Sequence, residues 1–197
     1  MNLRKTIKEI ESILGYTFKI KKNLTDSLIH PSFYKYKKSR SKNKVEQFER
    51  LEFLGDRVLG ITIAFLIFKK FINFDEGNLS KKLSYLVQRD FLYKIALEIN
   101  LENYLEFNKQ RKSNTNLNKS ILADSFESLI GSIFVDGGYQ KSYSFIKRIW
   151  SPYLNKLISD EFDSKTKLQE ISQKKYKKLP EYILIKKEGS AHSPKFT

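Results

Sequence analysis

A chain of 197 residues with 40% apolar and 14% aromatic content has enough non-polar surface for one domain core and part of a second, which excludes a disordered tail. Lys and Arg number 37 against 22 Asp and Glu, a formal charge of +15 that favours a polyanion such as nucleic acid or an acidic membrane surface. Cysteine is absent, which excludes disulfides and Cys-ligated zinc and suits a reducing compartment; no segment approaches the ~20 apolar residues of a membrane span, so the chain reads as soluble and cytoplasmic. The basic excess has a second source to weigh. Lys outnumbers Arg, Asn and Ile are frequent and Ala is scarce, a bias that an AT-rich genome produces as readily as a function does.

Leu3, Ile7, Ile10 and Leu14 fall on one stripe, predicting a helix over residues 3–14 that stops at Gly15. A second short helix is expected over Leu24–His30, with His30 a structural residue at a helix end or in the core. KYKKSRSKNK (35–44) is basic, free of acid and without an apolar period, and reads as a mobile loop. A helix then runs from Val45 to Phe71 and ends at the turn-like NFDEGN. Further helices are expected over Leu79–Ile99, Ser120–Val135 and Gln140–Ile158, with 109–120 a polar loop. Beyond residue 158 linker composition gives way to one helix, and EYILIKKEG after Pro180 reads as a strand. AHSPKFT reads as a turn opening another strand, and a helix with one and a half strands looks incomplete as a unit. The expectation is a mostly α protein: an all-helical domain over 1–158, a linker at 159–163 and a partial α/β unit over 164–197.

ERLEFLGDRVLG (49–60) places three carboxylates inside the fourth of these patterns. With Glu49 at zero, Glu52 falls near 300° and Asp56 near 340°, an arc of about 60°. Leu51, Leu54, Val58, Ile61 and Phe65 gather at about 120–200°, which predicts a buried apolar back opposite an acidic front. SILADSFESLIGSIF (120–134) repeats the arrangement with Asp124 and Glu127. One acid row is commonly a solvated face, but like charges at helical spacing repel, and two matched rows on core-forming helices point to a shared site. Gly60 and Gly131 thin these helices near the acids, leaving room for another backbone or a substrate.

Clustered carboxylates without His or Cys are the ligand set of a hard divalent cation, Mg²⁺ or Mn²⁺. Such an ion acidifies water and polarises phosphoryl oxygens, so in a basic protein the natural substrate is a phosphodiester. The chain has two histidines, neither in a nucleophile motif, which weakens a Ser/His/Asp reading. Phe53 falls near 40° on the acidic side. There it is either covered by its own domain or offered to a second copy in a twofold dimer.

ERLEFLGD closely resembles the signature of ribonuclease III, the double-stranded-RNA endonuclease. LGYTFKIKKNLTDSLIHPSFY, DEGNLSKKLSYLVQRDFLYKIA and SILADSFESLIGSIFVDGGY are similar to further blocks of that family in the same order. The tail DSKTKLQEISQKKYKKLPEYILIKKEGSAHSPKFT is similar to the first half of a double-stranded-RNA-binding domain.

The resemblance implies a homodimeric, Mg²⁺-dependent hydrolase of duplex RNA that leaves 5′-phosphate and 3′-hydroxyl ends with short 3′ overhangs, with no membrane partner and no small-molecule cofactor. By motif position, Glu52, Asp56, Asp124 and Glu127 correspond to its metal ligands, with Asp56 and Glu127 catalytic and Glu127 the most sensitive. Glu49 and Glu76 match auxiliary acids of the same valley, and Phe53 an aromatic that enters the partner subunit. Gln169, Gln173 and His192 match contacts to the minor groove of duplex RNA, where 2′-hydroxyls and base edges are read by shape. A plain surface role stays open for His192. Arg57, Phe48 and Leu83 depart from the family's usual residues without removing a ligand. The missing end of the binding domain implies weak duplex affinity, since phosphate contacts supply most of it. The alternative function is a duplex-RNA binder that does not cut.

Overall fold

The computed structural model describes residues 3–36, 42–108, 115–157, 164–178, 180, 187–188 and 195–196. They divide into two compact units, Met1–Ser151 and Pro152–Thr197. The expected linker, 159–163, lies outside the described residues.

In the first unit the order is α1 (Leu3–Leu14), α2 (Lys21–Ser27), α3 (Pro31–Tyr36), α4 (Lys42–Lys70), α5 (Glu76–Val87), α6 (Arg89–Glu98), a 3-10 turn at Leu101–Asn103, α7 (Thr115–Gly137) and α8 (Tyr139–Lys156), whose last turn passes into the second unit. The mostly α architecture agrees with the expectation. No helix among the described residues is long and apolar enough to cross a membrane.

Helix ends follow local chemistry. Gly15 ends α1 at φ +60°, and Tyr16 N–H donates to Glu11 O and Gly15 N–H to Ser12 O, each at 3.2 Å, a Schellman closure that glycine permits. Asp75 caps α5 by accepting from Asn78 N–H at 2.8 Å, so Glu76–Asn78, expected in a turn, are helical. Pro31 opens α3, where a missing N–H costs nothing.

Several boundaries differ from the expected ones. The second helix ends at Ser27, not His30, because Leu28 O and His30 N–H are drawn into hydrogen bonds with Glu106, and a residue before proline resists the helical region. His30 is structural, as expected: its Nδ1 accepts from Ser32 N–H at 3.1 Å and its ring meets Phe48 edge-on at 5.3 Å. Of the expected loop 35–44, residues 35–36 end α3 and 42–44 begin α4, while 37–41 lie outside the described residues. Residues 115–120 are already helical, anchored where Lys119 Nζ donates to Asp90 at 3.0 Å. The single helix expected over Leu79–Ile99 breaks at Gln88, which is extended at φ −67° and ψ 152°. The break frees Leu86 O from its helical partner, and buried Trp150 Nε1 donates to it at 3.1 Å. Trp150 then joins Phe91 and Phe126 in one aromatic cluster.

The core is built around α4 and α7. Phe48, Leu51, Val58, Leu59, Ile63 and Ile67 of α4 are buried, as are Ile121, Leu122, Phe126, Leu129, Ile130 and Ile133 of α7. The predicted apolar back of α4 is only half right. Leu51 and Val58 are buried, but Ile61 is 59% and Phe65 40% exposed. Burial follows the arc from about 180° to 360°, because α4 turns that side onto α7. The acids lie on the packed side of the helix, not opposite it.

The second unit contains α9 (Ser164–Tyr176) and a two-residue antiparallel ladder, β1 (Lys187–Glu188) with β2 (Lys195–Phe196), pairing Lys187 with Phe196 and Glu188 with Lys195. The remainder of the expected strand over 181–189 lies outside the described residues.

Candidate metal centre

Two glycines place the site. A Cβ on Gly55 would sit 1.8 Å from Glu127 O, and one on Gly131 would sit 2.0 Å from Leu51 O. Only glycine lets the backbones of α4 and α7 cross this closely. Residues 51 and 55 of α4 therefore lie against 131 and 127 of α7, an antiparallel crossing. Gly60, expected to serve close approach, has nothing within 4 Å. Gly55 does that work instead, although helical spacing alone does not single it out.

The crossing sets Glu52 of α4 beside Asp124 and Glu127 of α7. One carboxylate oxygen from each lies within 4.8 Å of the other two. All three are partly buried, and among the described residues none accepts a hydrogen bond from protein or forms an ion pair. Burial, then Asp124 and Glu49, pushes the Glu52 carboxyl up to about 7 against the opposing pull of Arg89. Burial, then Asp124 and Glu52, pushes Glu127 up to about 7, opposed by Arg89 and Arg57. Burial also raises Asp124, again against Arg89. Three desolvated acids that repel one another leave a site short of positive charge.

The other expected residues stand apart from this trio. Asp56 is ion-paired with its neighbour Arg57, whose guanidinium also lies 5.1 Å from the centre of the Phe53 ring. Glu49 is exposed and acts on Glu52 through its charge. Glu76, in the first turn of α5, is exposed and accepts from Ser80 Oγ at 2.7 Å. Phe53 is 64% exposed, so its own domain does not cover it. In the second unit Gln173 is exposed on α9 and Gln169 lies on the same helix; the side chain of Gln169 and all of His192 fall outside the described residues. Arg89, which acts on all three acids, was not foreseen. It is the first residue of α6, a position hidden when residues 79–99 are read as one helix.

The raised carboxyls give a pH dependence with a definite sign. Unfolded, the two glutamates ionise near their ordinary 4.5; folded, near 7. Between these values the folded chain binds more protons, so its metal-free stability falls as pH rises from about 5 to 8. A divalent cation needs the deprotonated acids, so its stabilisation grows over the same range. In EDTA the Tm contribution of Glu127, taken as wild type minus Glu127→Gln, is expected to become more unfavourable from pH 5 to 8. Mg²⁺ or Mn²⁺ is expected to restore most stability at the upper end. A difference that stays flat with pH would contradict the assignment.

The fold is that of all-helical endoribonuclease domains. Residues 21–154 match a family model described as Ribonuclease-III-like. Ribonuclease 3 of Wolbachia sp. subsp. Brugia malayi (strain TRS) is 38% identical over 189 residues, spanning 95% of this chain and 76% of that protein. Ribonuclease 3 of Rickettsia rickettsii (strain Sheila Smith) is 34% identical over 195 residues, spanning 98% and 84%. The nuclease domain of ribonuclease III from Campylobacter jejuni, in a structure described as flexible in the region involved in dimer formation, superposes with a TM-score of 0.63 at 35% identity, covering 73% of this chain and 94% of that one. The chain belongs to the ribonuclease III family and is an endoribonuclease.

Proposed function

We propose that the chain hydrolyses phosphodiester bonds of double-stranded RNA with a divalent cation, Mg²⁺ or Mn²⁺, held by Glu52, Asp124 and Glu127. The observation that carries this is the trio itself: three oxygen donors within 4.8 Å, desolvated and, among the described residues, without an ion-pair partner, their raised carboxyls only partly offset by Arg89. The donor set fits a hard cation, which offsets the repulsion that raises these acids. When bound, such an ion supplies Lewis-acid polarisation of the phosphoryl group and a locally acidified water. The protein's own part is to hold the three oxygens in a rigid helix crossing and to place Arg89 where it draws phosphate oxygens toward an otherwise acidic site. Asp56, one turn along α4 from Glu52, completes the ligand set by family position once its side chain leaves Arg57. Glu49 and Glu76 act as auxiliary acids of the valley.

Attack by water with departure of the 3′ oxygen leaves 5′-phosphate and 3′-hydroxyl ends, and two sites acting on opposite strands leave short 3′ overhangs. Structured cytoplasmic RNAs, including ribosomal precursors and messengers, are the substrates this implies. Residues 1–158 form the nuclease domain. Residues 164–197 form part of a duplex-binding domain, with Gln169, Gln173 and His192 reading the minor groove. Exposed Phe53 supports a homodimer, since an aromatic ring left in water beside the site gains by entering a second copy. Phe53→Glu is expected to raise the dimer dissociation constant at least tenfold in sedimentation equilibrium, with the helical content unchanged; an unaltered dimer would remove Phe53 from the interface. The function itself is tested with a long RNA duplex and its separated strands, in Mg²⁺ and in EDTA. Cleavage of the duplex alone, and only with the metal, is expected. Retention of the duplex without cleavage in Mg²⁺ would replace this reading with a non-cleaving binder.

A further inference from the structure

The corner between α1 and α8 carries a feature opposite in sign to the carboxylate trio. A cavity of about 470 Å³ there is lined by the cations Lys19, Lys141 and Arg148, with the hydroxyls of Thr17 and Ser144 and the ring of Tyr16 beside them; no carboxylate lines it. Its volume lies within the range of small-ligand sites, about 300–1,000 Å³.

Of the three cations, Arg148 is the one held by its surroundings, while Lys19 and Lys141 are exposed. Arg148 Nη2 donates to Ile13 O at 3.0 Å and Leu14 O at 2.6 Å, which locks the guanidinium against the end of α1 and leaves Nη1 and Nε without an acceptor among the described residues. A Cβ on Gly137 would sit 2.5 Å from Tyr16 Oη and 2.9 Å from Lys141 Cγ, so glycine is what lets the tyrosine and the lysine stem cross at that point. Asp136 next to it is fully engaged. It accepts from Tyr16 Oη at 2.7 Å, Lys19 N–H at 2.8 Å, Ile20 N–H at 2.9 Å and Asn23 Nδ2 at 3.1 Å. These bonds fix the backbone that carries Lys19, while its ammonium group and that of Lys141 have no ion-pair partner among the described residues. Three cations around one cavity repel, and an entering anion relieves that repulsion.

We propose that this corner binds phosphoryl groups, supplied either by the RNA backbone away from the scissile bond or by a free polyphosphate. Asp136 lies twelve residues along α7 from Asp124, about 18 Å at 1.5 Å per residue. The corner is therefore separate from the carboxylates yet close enough for one duplex to reach both. The RNA source rests on the ribonuclease reading; the free-polyphosphate source does not.

The test uses the full chain in EDTA, with inorganic tripolyphosphate as one probe and a 20-base-pair RNA duplex as the other. Lys19→Ala/Lys141→Ala is compared with Lys69→Ala/Lys94→Ala, which removes the same charge elsewhere; all four lysines are exposed and neither pair fills the core. Tripolyphosphate affinity by calorimetry is expected to fall at least tenfold in the corner variant and less than twofold in the control. With RNA as the occupant, duplex affinity also falls at least fivefold in the corner variant relative to the control, and tripolyphosphate competes with the duplex. With a free polyphosphate as the occupant, the two variants bind duplex alike. Tripolyphosphate affinity that is unchanged in the corner variant, or equally reduced in both, overturns the proposal, and does so whether or not the chain cleaves RNA.

Discussion

Glu127→Gln is expected to slow metal-dependent cleavage of duplex RNA by about 10³-fold or more, roughly 4 kcal/mol of transition-state stabilisation. The same change is expected to raise Tm in EDTA. Both follow from one arrangement. Glu127 is desolvated and faces Asp124 and Glu52, so a neutral amide relieves repulsion in the metal-free protein while removing a charged oxygen from the ligand set. A residue needed only for packing would lose activity and stability together. The opposite signs, read by single-turnover cleavage and by thermal denaturation with and without Mn²⁺, separate a ligand from a scaffold residue. Asp124→Asn is expected to behave in the same way. A Glu127→Gln protein that cleaves at the parental rate would end the assignment.

Gly131→Ala is expected to destabilise the fold by about 3 kcal/mol. The added methyl meets the carbonyl of Leu51 at 2.0 Å, and because that atom is backbone, no side-chain rotation relieves it. The helices must separate, which also moves Glu52 away from Asp124 and Glu127, so cleavage falls even where the variant remains folded. Gly55→Ala meets Glu127 O at 1.8 Å and fails for the same reason. Gly60→Ala is the matched control. With open space at its Cβ position, it replaces a helix-interior glycine and is expected to stabilise by about 0.5–1 kcal/mol. Urea denaturation of the three variants measures the contrast directly; equal effects at Gly60 and Gly131 would show that the crossing is not close-packed.

Helical periodicity revealed most of the nuclease fold because its helices are long and their apolar residues recur at a fixed spacing. It failed where tertiary partners decide. Nothing in residues 79–99 announces the break at Gln88, which exists because Trp150, far along the chain, takes the freed Leu86 carbonyl. The acidic residues were visible as a pattern, yet the helical wheel of α4 was oriented the wrong way round. A wheel shows which residues share an arc and not which arc meets a neighbour, and Ile61 and Phe65 are as apolar as the residues that are buried. Gly55 carried the missing information. A glycine on the same side as the acids, matched by Gly131 on the second acidic helix, marks a close crossing, and a close crossing brings acid to acid. Arg89 had no such signal, since its effect arises only from the placement of α6.

The family also puts a limit on what position alone conveys. Asp56 corresponds by motif to a ligand, but here its carboxylate is paired with Arg57 and lies outside the trio. Under the proposed function, a metal drawing Asp56 into the site competes with that pair. Arg57→Ala therefore removes the partner of Asp56 and at the same time withdraws a cation from beside Phe53.

The most direct measurement is the chemistry of the product ends from a defined RNA hairpin incubated with the protein in Mn²⁺ and in EDTA. Water-dependent hydrolysis at the carboxylate trio is expected to give 5′-phosphate and 3′-hydroxyl ends, on both strands and only with the metal. Products bearing 5′-hydroxyl and 2′,3′-cyclic phosphate ends, or cleavage that persists in EDTA, would mean that the RNA's own 2′-hydroxyl is the nucleophile and that Glu52, Asp124 and Glu127 do not hold the catalytic metal.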